Sequence, residues 1–407
     1  MRILIVTNLY PNPFQPQLAT FNREQVRALA REHAVAVISP IAWTEELAAR
    51  RAGKPALPPG RRMAWDGVPV EYPRSLFVPR VLRGWYGRFY LWSVRRAFRR
   101  AVAEFRPDVV YATWAYPDGW AAVRLGHRAG LPVVLKVHGS DVLRLEHYPI
   151  HRRGTVETLR RADRVVAVSR DLARKVVELG ADPARVHLVY NGVDTATFRP
   201  GDRTEARRRL GLDPTRSVVL YVGNLLPVKG PDVLIEATAR LAARGVAFDL
   251  HVIGRGPMRE SLERRAAEAG LAGRVHFHGP LPHDRLPDWF RAADLLVLPS
   301  RSEGVPNVLL EASACGTPYV AGAVGGVPEI AHLGRSRLVP PGDPGRLADA
   351  IRDVLAAPAP AEGRPGAGRS HADAARELVA VFEAALDRGA TPGGPGRVAA
   401  PHAPASG

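Results

Sequence analysis

The first half of the chain alternates short apolar runs with longer amphipathic stretches. The runs are RILIVT (2–7), VAVIS (35–39), DVVYAT (108–113), PVVLKVHG (132–139) and RVVAVS (164–169). Between them lie stretches such as FNREQVRALAREH (21–33), whose apolar positions recur at helical spacing. Runs that are apolar throughout predict strands buried on both faces, and such strands separated by helices predict a parallel sheet. After VHLVYNGVDTATFRPGD (186–202) the pattern starts again with SVVLYVG (217–223), FDLHVIG (248–254), RVHFHG (274–279), DLLVLPS (294–300) and PYVAG (318–322). The fold class predicted is α/β, with two doubly wound parallel-sheet, Rossmann-like domains and the NGVD turn near their junction. The domains are placed at 1–195 and 196–365. A Pro/Gly/Ala linker, APAPAEGRPGAGR (357–369), leads to one amphipathic helix. A lone helix has no partner for its apolar face, so 370–388 is expected to dock back on the first domain. The tail 390–407 has a disordered composition.

At 407 residues the chain exceeds one ordinary core, which agrees with two large domains. No stretch reaches the 18 or so apolar residues of a membrane-spanning helix, and the apolar core of the opening MRILIVTNLYPNPF is too short for a signal peptide. A cytoplasmic protein is expected. Cys315 is the single cysteine, which excludes an internal disulfide and a cysteine-rich zinc site. The formal charge of +17 rests almost wholly on arginine, since Lys54, Lys136, Lys175 and Lys229 are the only lysines. Such a balance favours anionic partners, including phosphates, nucleotide diphosphates and an acidic membrane face. No zinc-finger spacing, aromatic RNA-binding signature or helix-turn-helix argues for nucleic acid.

The stretch SEGVPNVLLEASACGTP (302–318) carries the chemistry. It follows DLLVLPS, so it sits at the carboxyl end of a parallel strand, where open α/β sheets bind ligands. Gly304 lets backbone approach a ligand, Pro306 suits the first helical position, and the free amides of the helix start suit an anion. Glu311 then lies about 7.5 Å along the helix axis, too deep to cap it and well placed for a vicinal diol such as a ribose. Glu303, at the mouth, faces whatever lies beyond the phosphates. Taken alone, two such acids are ordinarily a solvated loop acid and a partner for a surface arginine.

The spacing Glu-x7-Glu, with EG before the helix and LLEASACGTP after it, resembles the signature of family 4 glycosyltransferases, retaining enzymes of GT-B architecture. VHGSD (137–141), YNGVDTATFRP (190–200), VGNLLPVKGPDVLIEA (222–237), VIGRGP (252–257) and GGVPEI (325–330) stand in the family's order, and the resemblance covers roughly residues 1–388. It implies a nucleotide-diphosphate sugar (UDP- or GDP-) as co-substrate, no other cofactor, and a glycan or lipid-linked acceptor, with closest likeness to bacterial enzymes of cell-surface polysaccharide assembly. It further implies that Glu311 holds the ribose, that Gly223, Asn224, Lys229 and Glu303 with the backbone of Gly304, Val305, Pro306 and Asn307 contact donor sugar and phosphate, and that Lys229 neutralises the leaving diphosphate without a metal. His138, at the end of a first-domain strand, would face the cleft between domains beside the donor sugar. Asp141 would contact the acceptor or fix the loop. The catalytic set is thus His138, Lys229 and Glu303.

The chain departs from the family twice. Asn224 stands where many members have an arginine as a second diphosphate clamp, which leaves Lys229 and the helix start, or another residue such as Arg255, to serve. In the first turn, NLYPNPFQPQLATFN, Ala19 and Thr20 stand where glycines are usual, which restricts backbone approach near the acceptor. Residues 75–102 interleave arginines with Phe77, Trp85, Tyr86, Phe89, Tyr90 and Trp92. This strip fits a helix resting on an anionic membrane surface, making the protein peripheral on the inner face, and equally a core helix with a solvated arginine face. His276, His278 and His283 lack a carboxylate at a matching spacing, and there is no Asp-x-Asp, so no metal site is expected. Asn191 and Asp194 are read as turn and hinge residues. A sugar-nucleotide epimerase and a silent sugar-nucleotide binder remain as alternatives on this architecture; a nicotinamide-dependent oxidoreductase is disfavoured because the first strand lacks GxGxxG.

Overall fold

The computed structural model describes residues 1–77, 83–143, 145, 149–332, 336–357 and 368–387. The chain forms two compact units: Met1–Tyr190 together with the chain from Ala372 onward, and Asn191–His371. The junction after Tyr190 falls earlier than the 195/196 boundary read from sequence.

In the first unit the strands are β1 (Arg2–Val6), β2 (Ala34–Ile38), β3 (Ile41–Ala42), β4 (Arg62–Trp65), β5 (Val68–Glu71), β6 (Arg74–Ser75), β7 (Val109–Thr113), β8 (Val133–Val137), β9 (Arg164–Ala167) and β10 (Val186–Leu188). Eight of them form one sheet in the order β10-β9-β8-β7-β1-β2-β5-β4, while β3 and β6 pair separately. Every pair in the large sheet is parallel except β4 with β5. Both β7 and β8 are buried along their whole length, as their unbroken apolar runs demand. Strands β4, β5 and β10 extend the sheet beyond the five runs expected. The β4–β5 hairpin turns on Asp66 (φ 51°) and Gly67 (φ 80°), two positive-φ residues of the kind a two-residue hairpin turn needs. The Asp-Gly pair announces it in the sequence, but the flanking strands are short and half-exposed and carry no strong apolar run.

The last helix, His371–Leu386, buries Ala374, Ala375, Leu378, Val381, Phe382 and Ala385. Leu378, Val381 and Phe382 join Ile3, Ile5, Tyr111, Val134 and Val166 in one apolar cluster. Phe382 meets the Tyr111 ring edge-on at 5.2 Å, and the Arg164 guanidinium donates to the Ala384 carbonyl. Residue 388, the tail 390–407, linker residues 358–367 and strip residues 78–82 lie outside the described residues.

The second unit holds β11 (Ser217–Val222), β12 (Phe248–Ile253), β13 (Val275–Gly279), β14 (Leu295–Leu298), β15 (Tyr319–Gly322) and β16 (Ser336–Val339). They form an all-parallel sheet in the order β13-β12-β11-β14-β15-β16. Strand order reverses between β11 and β14 here, and between β1 and β7 in the first unit. At such reversals neighbouring connections leave on opposite faces and open a crevice at the strands' carboxyl ends.

Candidate active-site loops

In the second unit, Lys229 and Glu303 stand on the two loops that leave the β11/β14 reversal. Lys229 ends a short turn, Pro227–Lys229, and its Nζ donates to both Glu303 oxygens, at 2.6 and 2.8 Å. Ser300 Oγ donates to Glu303 Oε1 at 2.7 Å. The Glu303 side chain is only 7% exposed and that of Lys229 27%. Glu303 is therefore a buried, fully paired acid rather than the mouth residue expected. The charge of Lys229, expected to neutralise a leaving diphosphate, is shared with Glu303. Two of three ammonium protons face the carboxylate, and the third has no protein acceptor among the described residues.

Backbone closes around this pair. A Cβ on Gly254 (φ 150°) would sit 1.9 Å from the Gly223 carbonyl oxygen, and one on Gly325 (φ 54°) would sit 1.9 Å from that of Glu303. Only glycine permits either approach. Gly326 N–H donates to the Gly304 carbonyl at 2.8 Å, and Val305 and Pro306 are buried. Asn224 is exposed, and its carbonyl accepts the Tyr221 hydroxyl at 3.0 Å. Leu225 N–H fastens that loop to the Arg255 carbonyl at 2.9 Å, which puts the exposed Arg255 on the adjoining loop.

The helix begins at Asn307, one residue later than expected, because Pro306 is extended (φ −73°, ψ 119°). Asn191 Nδ2 donates to Asn307 Oδ1 at 3.0 Å, tying the NGVD turn to the helix start, while Asp194 accepts from Ala196 N, Thr197 N and Thr197 Oγ1 as a turn residue does. Glu311 does not meet an arginine: its Oε1 lies 2.8 Å from His283 Nε2. Sequence reading had grouped His283 with His276 and His278. Those two instead gather around His251, whose Nδ1 lies 2.9 Å from His278 Nε2 and whose ring stacks on His276 at 4.8 Å. Burial, with His276 and His278 nearby, pulls the His251 pKa down to about 4. Among the described residues no group of three His, Cys, Asp or Glu side chains is placed to hold a metal ion.

In the first unit the corresponding loops are held by backbone donors. Asp141 Oδ1 accepts the N–H groups of His138 and Gly139, both at 3.0 Å, and its Oδ2 accepts that of Ala115 at 3.1 Å. Of its two expected roles, this geometry is that of fixing the loop. Burial pushes the Asp141 pKa up against those three amides, which favour the carboxylate. The His138 ring lies 5.1 Å from Phe21 and is stacked on Trp114 at 6.4 Å. Its enclosed Nε2 has no hydrogen-bond partner among the described residues. Burial, helped by Lys136, holds its pKa well below the usual range, so the imidazole is neutral near pH 7. Trp114 has φ 132°, a strained conformation for a bulky residue that costs about 1–3 kcal/mol and marks a functional or tightly determined position. It is pinned by Trp114 N to the Lys136 carbonyl at 3.0 Å and by Gly119 N to its own carbonyl at 2.9 Å.

Asp118, which sequence reading missed, is wholly buried at the β1/β7 reversal and accepts Asn8 N–H at 3.0 Å. Burial pushes its pKa to about 7. Ala19 takes the left-handed conformation (φ 48°, ψ 53°) as the cap of the helix Thr20–Leu29, its carbonyl accepting Asn22 N at 2.9 Å. The turn thus keeps the conformation that glycine adopts freely, at a cost of about 1 kcal/mol for alanine. Thr20, half-buried, opens that helix.

Two family models match: Glycosyltransferase Family 4 over residues 18–197 and Glycosyl transferases group 1 over residues 202–366. The D-inositol 3-phosphate glycosyltransferase 1 of Catenulispora acidiphila is 35% identical over 377 residues, covering 83% of this chain and 86% of that protein. Among solved structures, sucrose-phosphate synthase from Thermosynechococcus elongatus superposes with a TM-score of 0.70 at 22% identity, over 95% of this chain and 96% of that one. Anabaena Alr3699/HepE in complex with UDP-glucose gives 0.69 at 21% identity, over 95% and 98%. Two doubly wound units, the paired acids at the second sheet's reversal and these likenesses agree: the chain belongs to glycosyltransferase family 4 and has the GT-B fold.

Proposed function

We propose that this glycosyltransferase is a retaining, metal-independent enzyme of hexosyl type that takes its sugar from a UDP- or GDP-sugar. The observation that carries this reading is the Lys229–Glu303–Ser300 constellation at the β11/β14 reversal, with Glu311 on the helix that follows. A donor diphosphate brings negative charge, and it meets the remaining Lys229 proton and the amides at the Asn307 helix start. As the anomeric C–O bond breaks, charge grows on the leaving phosphate, and donors already fixed by Glu303 need no rearrangement to stabilise it. Gly223, Asn224 and the backbone of Gly304–Asn307 line the same loops, and Glu311 receives the ribose diol. Neutral His138, in the first unit, keeps its expected catalytic place as a hydrogen-bonding group that adds no charge. Glu303 is already bonded through both oxygens, so the reading gives it no acid or base role.

The acceptor is proposed to be a glycan or lipid-linked sugar of cell-surface polysaccharide assembly, reached from the inner membrane face. Support comes from the helix Tyr86–Glu104, which buries Tyr90, Val94, Ala97 and Phe98 while Trp85 and Trp92 remain 50% and 49% exposed. Arg88 lies over the Trp85 ring at 4.7 Å and Arg95 over Trp92 at 5.4 Å. Exposed tryptophans beside arginines are what an interfacial helix presents. Among the described residues no helix is long and apolar enough to cross a membrane. A second acceptor class, a phosphorylated polyol, is favoured by the name of the Catenulispora relative.

A thermal-shift panel of UDP, GDP, ADP and their common sugars tests the core of the reading: stabilisation by a nucleotide diphosphate is expected in the wild type and not in Glu311→Ala. No shift with any of them in the wild type sinks it. Product analysis without acceptor separates transfer from epimerisation, and absence of turnover with every acceptor supports the silent binder. Flotation with phosphatidylglycerol vesicles at low salt tests the membrane face, and no binding there ends that part.

A further inference from the structure

His283 has no place in the function so far, yet it is the side chain bonded to Glu311. The Nε2–Oε1 distance is 2.8 Å, with the Glu311 side chain 12% exposed and that of His283 27%. An ionised carboxylate only accepts, so the imidazole donates from Nε2. The ring is held in turn: His283 opens the short turn His283–Arg285, and the buried Phe198 ring lies 4.9 Å away. Phe198 is backed by Phe290 at 5.9 Å. Among the described residues no other side chain bonds to the Glu311 carboxylate.

Glutamate has a long, freely rotating side chain, and fixing it when a ligand arrives costs on the order of 1.5 kcal/mol in rotamer entropy. A carboxylate offers about four lone-pair positions, so one bond from His283 leaves positions for both hydroxyls of a vicinal diol. We propose that His283 is a positioning residue for nucleotide recognition: it holds Glu311 in the rotamer that receives the ribose hydroxyls before the donor binds. This rests on the reading of Glu311 as the ribose acceptor. His283 touches neither the sugar nor the diphosphate, so its loss weakens donor binding and leaves the chemical step intact.

The test is calorimetric titration of the full chain with UDP, GDP and their 2′-deoxy forms, using wild type, Glu311→Ala, His283→Ala and His283→Gln, with steady-state transfer kinetics alongside. His283→Ala is expected to weaken the preferred ribonucleotide about tenfold, the scale of one charge-assisted hydrogen bond. It should also narrow the preference for ribose over deoxyribose and raise donor KM with kcat unchanged at saturation. His283→Gln, which can still donate from its amide, should recover much of the affinity. If the wild type binds a nucleotide and Glu311→Ala loses it, but His283→Ala binds equally well, the His283 proposal is wrong and the ribose reading stands. If wild type binds no nucleotide, or Glu311→Ala binds undiminished, the ribose reading itself fails and takes the proposal with it. A lower Tm for His283→Ala with unchanged affinity overturns the positioning role in favour of a packing one.

Discussion

The loops after β7 and β8 and those after β11 and β14 all leave the carboxyl ends of parallel strands, yet they are fixed by opposite means. In the first unit, buried acids face main-chain donors: Asp141 takes three backbone N–H groups and Asp118 takes one. No cation faces either acid at bonding distance among the described residues, and burial drives both pKa values up. In the second, side chains face side chains, Lys229 with Glu303 and His283 with Glu311. The first arrangement satisfies each acid with neutral donors, an electrically quiet pairing. The second sets charged or ionisable side chains directly against each other. Similar frames therefore divide the chemistry by how each polar group is paired.

The sharpest break in this contrast is Lys229→Ala. On the proposed reading it removes the cation facing developing negative charge, and kcat is expected to fall about 10²–10³-fold, the scale of losing one preorganised donor. It also strands the buried Glu303, so Lys229→Met combined with Glu303→Gln should recover thermal stability while activity stays lost. Recovery of activity in the double variant would show that the pair is structural.

Asp118 tests the electrically quiet half. Its native pKa, about 7, exceeds the ordinary aspartate value of about 3.9, so the native state holds a proton that the unfolded chain releases. Its contribution is complete below about pH 4 and lost as pH rises through about 7, on the order of 4 kcal/mol in all. Asp118→Asn, which cannot ionise, should flatten that decline: Tm measured from pH 5 to pH 8 should fall less in the variant than in the wild type. Equal slopes would show that Asp118 is ionised throughout. Asp141→Ala strands three amides and is expected to cost about 2–3 kcal/mol by urea unfolding. The effect of Ala19→Gly is the smallest, a gain of up to about 1 kcal/mol, since glycine adopts the left-handed cap without strain. A loss of stability there would mean that the methyl group packs.

Legibility differs between strands and site. Nearly every strand buried on both faces was readable, because burial on two sides forces an unbroken apolar run that no neighbour can disguise. Strands β4 and β5 were not, since a half-exposed hairpin needs only a turn and weak alternation. At the site, residues clustered in sequence were legible: Glu303, Glu311 and Gly304 between them stand on one strand–loop–helix passage, where local geometry fixes their spacing. The partners were not. His283 lies 28 positions from Glu311 and Lys229 lies 74 from Glu303, and nothing local relates them. Nothing local marks Asp118 either: its donor, Asn8 N–H, lies 110 positions away and meets it only because β1 and β7 are neighbours.

By itself the sequence determined two α/β units, the positions of their carboxyl-end loops and the acids those loops carry, because periodicity and turn chemistry act over a few residues. Tertiary structure alone decided who faces whom: that Lys229 is already paired, that Glu311 is held by a histidine, that Asp141 fixes a loop and that Asp118 holds its proton near neutral pH. Burial, pKa and pairing depend on which distant segments the sheets bring within a few ångströms, and a one-dimensional string does not contain that distance.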